Sequence, residues 1–298
     1  VGPEGLSRFL EQFPLPTVVI GTPIKGLSCF SSDDSASVRL LLEHLLSHQK
    51  RRIVWVSGPV SDPHALVRLF AFRDGIIHLN PGFDEREDIL QGNDNARGGY
   101  EAMSRLHPRI GKSVDAICFS NDEMAIGAFD YCGIHGIRVP EDVAITGIDD
   151  IEMSAQINPG LTSVAHNYQK LFEAALDQLS VLHHEAIETN DMKQDQQFTP
   201  HDEQSSIPPS APIRSIFSPK LQIRGTCGCD SPEPPIRNPF LDEVVHHSPF
   251  IGETIQTFNT EELFDQLEQY LNERNLRFSF LMGYEDIDRK STRLNSSH

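Results

Sequence analysis

The sequence predicts an α/β protein in which helices cover parallel sheets, and three observations carry the prediction. The first is the stretch 116–150. Ala116-Ile117-Cys118-Phe119 is a short apolar run, Asp122-Glu123 opens a helical pattern with Met124, Ile126, Ala128, Phe129 and Cys132 apolar, and 143–148 is a second strand. Strand, helix and strand within about thirty residues make a βαβ unit, whose strands run parallel with a right-handed crossover. The second observation is that polar residues stand just past each strand, Asn121-Asp122 after the first and Asp149-Asp150 after the second. Open parallel sheets bind their ligands at that edge. The third is that the alternation recurs upstream, where a strand at 53–56 lies between helical patterns at 38–46 and 63–74.

Each element has its own reason. Leu6, Phe9, Leu10 and Phe13 share a helical face ahead of a buried-type strand at 16–21. Leu41, Leu42, Leu45 and Leu46 give the next helix, in which His44 reads as a packing residue. The 63–74 helix carries Leu66, Leu69, Phe70 and, on its face, Arg68. Residues 89–92 form a short extended piece and 96–106 a helix. In the βαβ unit the acidic start suits the helix N-terminus, with Asp122 as cap, and Gly133 and Gly136 end the helix. An extended segment at 161–164 precedes a helix over 168–183, closed by His183-His184. Residues 188–212 are rich in Asp, Gln, Ser and Pro, and are expected to stay a disordered surface insertion. The span 230–257, with three prolines in 231–238, reads as a linker. Asn259-Thr260 before Glu261-Glu262, then Leu263, Phe264, Leu267, Tyr270 and Leu271 at helical spacing and a strand-like 278–284, predict a partial α+β connector or sensory domain over 258–289. The patternless 290–298 is read as a non-native tail.

Composition excludes several functions. Net charge is −18, from 43 acidic and 25 basic residues, whereas a duplex-binding surface needs clustered Lys and Arg. No DNA binding is expected of this chain alone. No apolar run approaches the ~20 residues that cross a bilayer, so no membrane partner is expected. The five cysteines are an odd number; Cys118 and Cys132 fall on apolar positions and read as small buried thiols. Such usage favours a reducing, cytoplasmic setting. Cys227-Gly228-Cys229 is the one close pair, and structural metal sites commonly take four ligands in two pairs. No metal is expected unless the fold imports further His or Cys. Serine-hydrolase, zinc-protease, P-loop and dinucleotide motifs are all missing, so no cofactor is expected. Asp33, Asp149 and Arg68 could form an acid–base cluster of the glycosidase kind, but no motif supports it, and the chain reads as a non-enzyme.

The runs SNDEMAIGA (120–128) and GIRVPEDVAITGIDD (136–150) resemble the ligand-sensing domain of LacI/GalR-type regulators. DDSASVRLLLEHL (33–45), RRIVWVSGP (51–59), RLFAF (68–72), NPGLTSV (158–164) and RGTCGC (224–229) are similar to further motifs of that family, in family order. The resemblance implies a two-lobed, periplasmic-binding-protein-like fold of type I, with Rossmann-like parallel sheets. It divides 1–229 into a partial first lobe, 1–46 and 165–185, and a second lobe, 50–160 and 214–226. By the family pattern the start of the first lobe and a DNA-binding headpiece would precede residue 1.

The resemblance also implies the ligand residues. Asp149 matches an acidic position that accepts two hydroxyl protons, with a turn or cap residue as the plainer reading. Arg68 matches a ligand arginine, against a surface arginine on a helix. Both are expected to face solvent in an open cleft. Asn121 and Asp33 match two more cleft positions. Asp62 and His64 fall at variable specificity positions, Asp94 where an aromatic ring often stacks, and Tyr168 where an aromatic follows the last strand; for these four a structural role is equally open. The implied function is a sensor of a sugar- or nucleoside-like ligand, homodimeric when intact, whose lobe closure passes to an attached signalling output. The alternatives are the ligand-binding part of a LacI-family DNA-binding transcription regulator and a secreted sugar-binding transport receptor.

Overall fold

Strands that read as unbroken apolar runs are those buried on both faces, as expected of the middle of a parallel sheet. The computed structural model describes residues 16–77, 79–80, 82–195 and 211–230, with 188–195 described by backbone alone. In chain order these form β1 (Val18–Ile20), β2 (Ser28–Ser32), α1 (Asp34–Ser47), β3 (Ile53–Ser57), α2 (Pro63–Ile77), α3 (Glu85–Asp88), β4 (Ile89–Gln91) and α4 (Ala96–Leu106). Then follow β5 (Ala116–Phe119), α5 (Asp122–His135), β6 (Ala144–Asp149), α6 (Glu152–Gln156), β7 (Thr162–Ala165), α7 (Tyr168–Asp195), β8 (Arg214–Phe217) and β9 (Lys220–Gln222). The predicted helix at 6–13, the 230–257 linker beyond Asp230, the 258–289 connector and the 290–298 tail lie outside the described residues.

Two sheets result. The larger has the order β4-β3-β5-β6-β7-β9, parallel throughout except for the antiparallel β7–β9 edge; the smaller is β1-β2-β8, all parallel. Alternate strand residues supply opposite faces of the large sheet. Ile53, Trp55, Ala116 and Cys118 pack under α1 and α2 with Leu41, Leu45, Phe72 and Ile76. Val54, Val56, Ile117 and Phe119 pack under α4 and α5 with Met103, Leu106 and Met124. Trp55 stacks on Phe72 at 5.2 Å, and truncating either to Ala is expected to destabilise by about 3–5 kcal/mol. Helices α4 and α5 meet backbone to backbone: a Cβ on Gly99 would stand 1.7 Å from the Met124 carbonyl oxygen, and one on Gly127 1.8 Å from that of Ala96. The small sheet packs Phe30 against Leu171 and Ala175 of α7.

The chain crosses between the sheets three times, at Ser32–Asp34, Ala165–Tyr168 and Phe217–Lys220. This redraws the lobe boundaries. Residues 34–46 belong with the large sheet, because the apolar face Val38, Leu41, Leu42 and Leu45 seats on its strands. Residues 214–217 belong with the small one, since β8 pairs with β2 in the register Cys29↔Arg214. Helix α7 runs past His183-His184 to Asp195, so the first part of the polar 188–212 segment is helical. Extending a formed helix needs no new nucleus. In α5 the chain passes Gly133 and stops at Gly136, whose φ is +69°.

Candidate functional site

Six segments end at one place: the chain just past β2, β3, β4, β5, β6 and β7. Helix geometry uses some of the polar residues there. Asp33, Asn95 and Asn121 are N-caps, accepting from the backbone N–H of Ala36, Gly98 and Met124, which satisfies donors every helix leaves open. Asp62 does the same for α2, accepting from the N–H of His64 and of Ala65, both at 3.0 Å. The Asn121 amide also donates to the Asp94 carbonyl at 2.8 Å, fixing that loop. Asp33, Asp62 and Asn121, three of the eight residues expected to bind ligand, thus have local structural work.

The residue after the first cap carries the ion pairing. Asp34 is buried and meets two partners on separate oxygens: Arg68 Nε donates to Oδ1 at 2.7 Å, and His64 Nδ1 lies 2.6 Å from Oδ2. Burial pushes the Asp34 carboxyl up, but His64 and Arg68 outweigh it and hold it below the usual carboxylate range. The His64 imidazole is raised by its hydrogen bond to Asp34, against burial. Its other edge meets the small sheet's loop, where a Cβ on Gly21 would stand 3.2 Å from Nε2.

Arg68 is the hub. Its side chain is only 11% exposed, which corrects the expectation of a solvent-facing arginine. Nη1 donates to the Ser120 carbonyl at 2.6 Å, and Nη2 lies 3.2 Å from His166 Nε2 and 3.7 Å from Asp149 Oδ1. Burial opposes the guanidinium charge, but Asp149 and Asp34 raise its pKa overall. A buried charge needs such partners, and removing one leaves the other uncompensated.

His166, one residue past β7, joins the sheets. Its Nδ1 lies 2.6 Å from Ser32 Oγ at the end of β2, and its Nε2 lies 3.3 Å from Asp149 Oδ1. If Nε2–H donates to Asp149, Nδ1 accepts from the Ser32 hydroxyl. If Nε2 accepts from Arg68, Nδ1–H donates to Ser32. Either tautomer carries a hydrogen-bonded link from the small sheet to the large sheet's charges. Asp149 ends β6 at φ +114°, with Asp150 at +52°, and its side chain is 30% exposed. The backbone thus leaves a paired carboxylate partly exposed, with acceptor capacity remaining. Asp94, at φ +61°, adds a carboxyl that burial, then the charges of Asp62 and Asp149, push up to about 6. Tyr168, 45% exposed, sets its ring 5.3 Å from that of His166.

The arrangement therefore brings together Arg68, Asp149, His64, Asp94 and Tyr168 of the expected residues, and adds Asp34, His166 and Ser32. Asp34 was hidden behind its twin Asp33; the capping rule gives the first Asp to the backbone and leaves the second free to pair with Arg68 and His64. His166 is a polar residue just past a strand of the same sheet, as Asn121 is past β5 and Asp150 past β6, and that recurrence is a usable signal. Asp122 is not the cap: fully buried, it accepts from Ser163 Oγ and Ser154 Oγ, each at 2.6 Å, and from the Ile151 N–H at 3.1 Å. Burial, then the Asp149 charge, push its carboxyl up to about 8 against those donors. A separate surface pocket of about 460 Å³, lined by His107, Lys112, His135 and Asp142 among others, lies at the far ends of α4 and α5 and has no part in this constellation.

Residues 42–200, more than half of the chain, match the family model described as a periplasmic binding protein-like domain. The ribose operon repressor of Escherichia coli K12 is 29% identical over 198 residues, 65% of this chain and 58% of the repressor. The lactose operon repressor of the same strain is 31% identical over 161 residues, 53% of this chain and 42% of that protein. The chain thus spans about half the length of the curated relatives it matches. A crystal structure of a sugar-binding transcriptional regulator of the LacI family from Escherichia coli, complexed with phosphate, superposes with a TM-score of 0.59 at 22% identity, over 78% of this chain and 74% of that one. It shares the fold.

Proposed function

The chain belongs to the periplasmic binding protein-like family, as a ligand-sensing domain of LacI/GalR type, and from that premise we propose that it is the sugar-sensing part of a LacI-family transcription regulator. The single observation that carries the ligand site is the Ser32–His166–Asp149–Arg68–Asp34 network, which spans both sheets at their ligand-binding edge. Asp149 accepts hydroxyl protons of a polyol, Arg68 and His166 donate, and Asp94 and Tyr168 line the approach. Asp33, Asp62, Asn121 and His64 hold these groups in place and border the same cleft. The names of the relatives, ribose and lactose operon repressors, support the repressor alternative over a signalling output that follows the chain. Within this reading the domain is a non-enzyme, acts as a homodimer in the cytoplasm, and gains DNA binding from a headpiece elsewhere in the protein. All five cysteines are free thiols, and among the described residues no helix is long and apolar enough to cross a membrane.

The mechanism is a population shift. A ligand touching both sheets binds the closed arrangement better, and closure is favoured by that difference in affinity. The test is a melting-temperature screen of pentoses, hexoses, sugar acids and nucleosides against the purified protein. At a hundred times Kd a ligand adds about 2.7 kcal/mol, a shift of about 5–10 °C for a domain of this size. A sugar is expected to produce it. A panel without any shift, or one answered only by a non-hydroxylated compound, contradicts the reading.

A further inference from the structure

We infer that His44, His48, Cys227 and Cys229 form a binding site for one zinc-class divalent cation, which fastens the 225–229 turn to the end of α1. Cys227-x-Cys229 alone is half a site, and the fold brings the other half from 181 to 185 residues away. His44 and His48, four apart, share one face at the C-terminal end of α1. Cys227 closes a short 3₁₀ turn, and Gly228, at φ +100°, bends the chain so that Cys229 returns to the same helix.

Three of the donor atoms already stand close to coordination spacing, and His48 reaches one of them. His44 Nε2 lies 3.1 Å from Cys227 Sγ and 3.7 Å from Cys229 Sγ, and His48 Nε2 lies 3.2 Å from Cys229 Sγ. The ligand atoms of His44, Cys227 and Cys229 all lie within 4.8 Å of one another. Tetrahedral zinc, with bonds of about 2.3 Å to sulfur and 2.0 Å to nitrogen, sets its ligand atoms roughly 3.3–3.8 Å apart. Two thiolates and two imidazoles suit zinc over hard cations such as magnesium or calcium. One supporting contact is present: Thr162 Oγ1 donates to Cys227 Sγ at 3.1 Å. The site lies at the opposite end of α1 from Asp34, and Thr162 opens the strand that leads to His166.

The test uses untagged, reduced, chelator-treated protein titrated with Co²⁺ and then Zn²⁺. One Co²⁺ per chain is expected, with thiolate-to-cobalt charge-transfer absorption and the intense visible bands of a tetrahedral site, both erased by Zn²⁺. Cys229→Ser and His48→Gln, outside the core, should each weaken Co²⁺ at least about tenfold and leave the metal-free melting temperature unchanged. Absence of the charge-transfer band, or an undiminished band in Cys229→Ser, overturns the proposal. So does a protein that binds no Co²⁺ and loses two thiols in air, which would make the cysteines a disulfide pair instead.

Discussion

Asp122 and Asp149 stand at the same edge of the same sheet, yet one closes a structural knot and the other stays partly exposed. Asp122 is fully buried, and its two oxygens receive the Ile151 N–H from the loop after β6, the Ser154 hydroxyl from α6 and the Ser163 hydroxyl from β7. Asp149 is 30% exposed, with Arg68 and His166 on its inner side. Position at a ligand-binding edge therefore does not make a carboxylate a ligand residue. What decides is whether its acceptor capacity is consumed from within the sheet or left facing the space between the sheets.

Substitutions can break this contrast. Asp122→Ala strips the partner from three buried donors, and an unfolding free energy lower by about 2–4 kcal/mol is expected in a urea titration, with sugar-induced stabilisation retained in the folded protein. A variant as stable as the parent would dissolve the knot. Arg68→Ala should cost about 2–3 kcal/mol by the same titration, because Asp34 and the Ser120 carbonyl stay buried without it, and here the ligand response should vanish as well. Ser32→Ala removes one hydrogen bond between the sheets, and about 1 kcal/mol of stability, read from the melting temperature, is the expected loss.

An effect of similar size, read from its pH dependence, concerns Asp94. Its carboxyl, pushed up to about 6 from an ordinary 3.8, keeps its proton longer folded than unfolded. Its contribution is fully present below about pH 4 and is lost as pH rises through about 6, on the order of 1 kcal/mol after solvent screening. Melting curves of Asp94→Asn across that window should lack this slope; an unchanged slope would assign it to another group.

The large sheet was legible because its strands are apolar runs and its helices have one greasy face, and both signals follow from burial. The lobe boundaries were harder. Helix 34–47 follows a first-sheet strand in sequence, and only the packing of Leu41 and Leu45 on Trp55 and Ile53 assigns it to the second sheet. Arg68 and Asp149 were legible as a pair through their motifs, but the burial of Arg68 was not, since its partners Asp34 and His166 lie 34 and 98 residues away. The helical start of the polar 188–212 segment escaped composition because continuation of α7 depends on the turns before it.

The most direct test of the central claim is calorimetric titration of the parent and Asp149→Ala with the sugar that stabilises the parent, beside melting of both without ligand. The account predicts a tenfold to hundredfold loss of affinity, about 1.5–3 kcal/mol, with an unliganded melting temperature within a degree or two of the parent. Equal affinities would remove Asp149 from the ligand site, and a variant that unfolds without ligand would make it a second structural knot like Asp122.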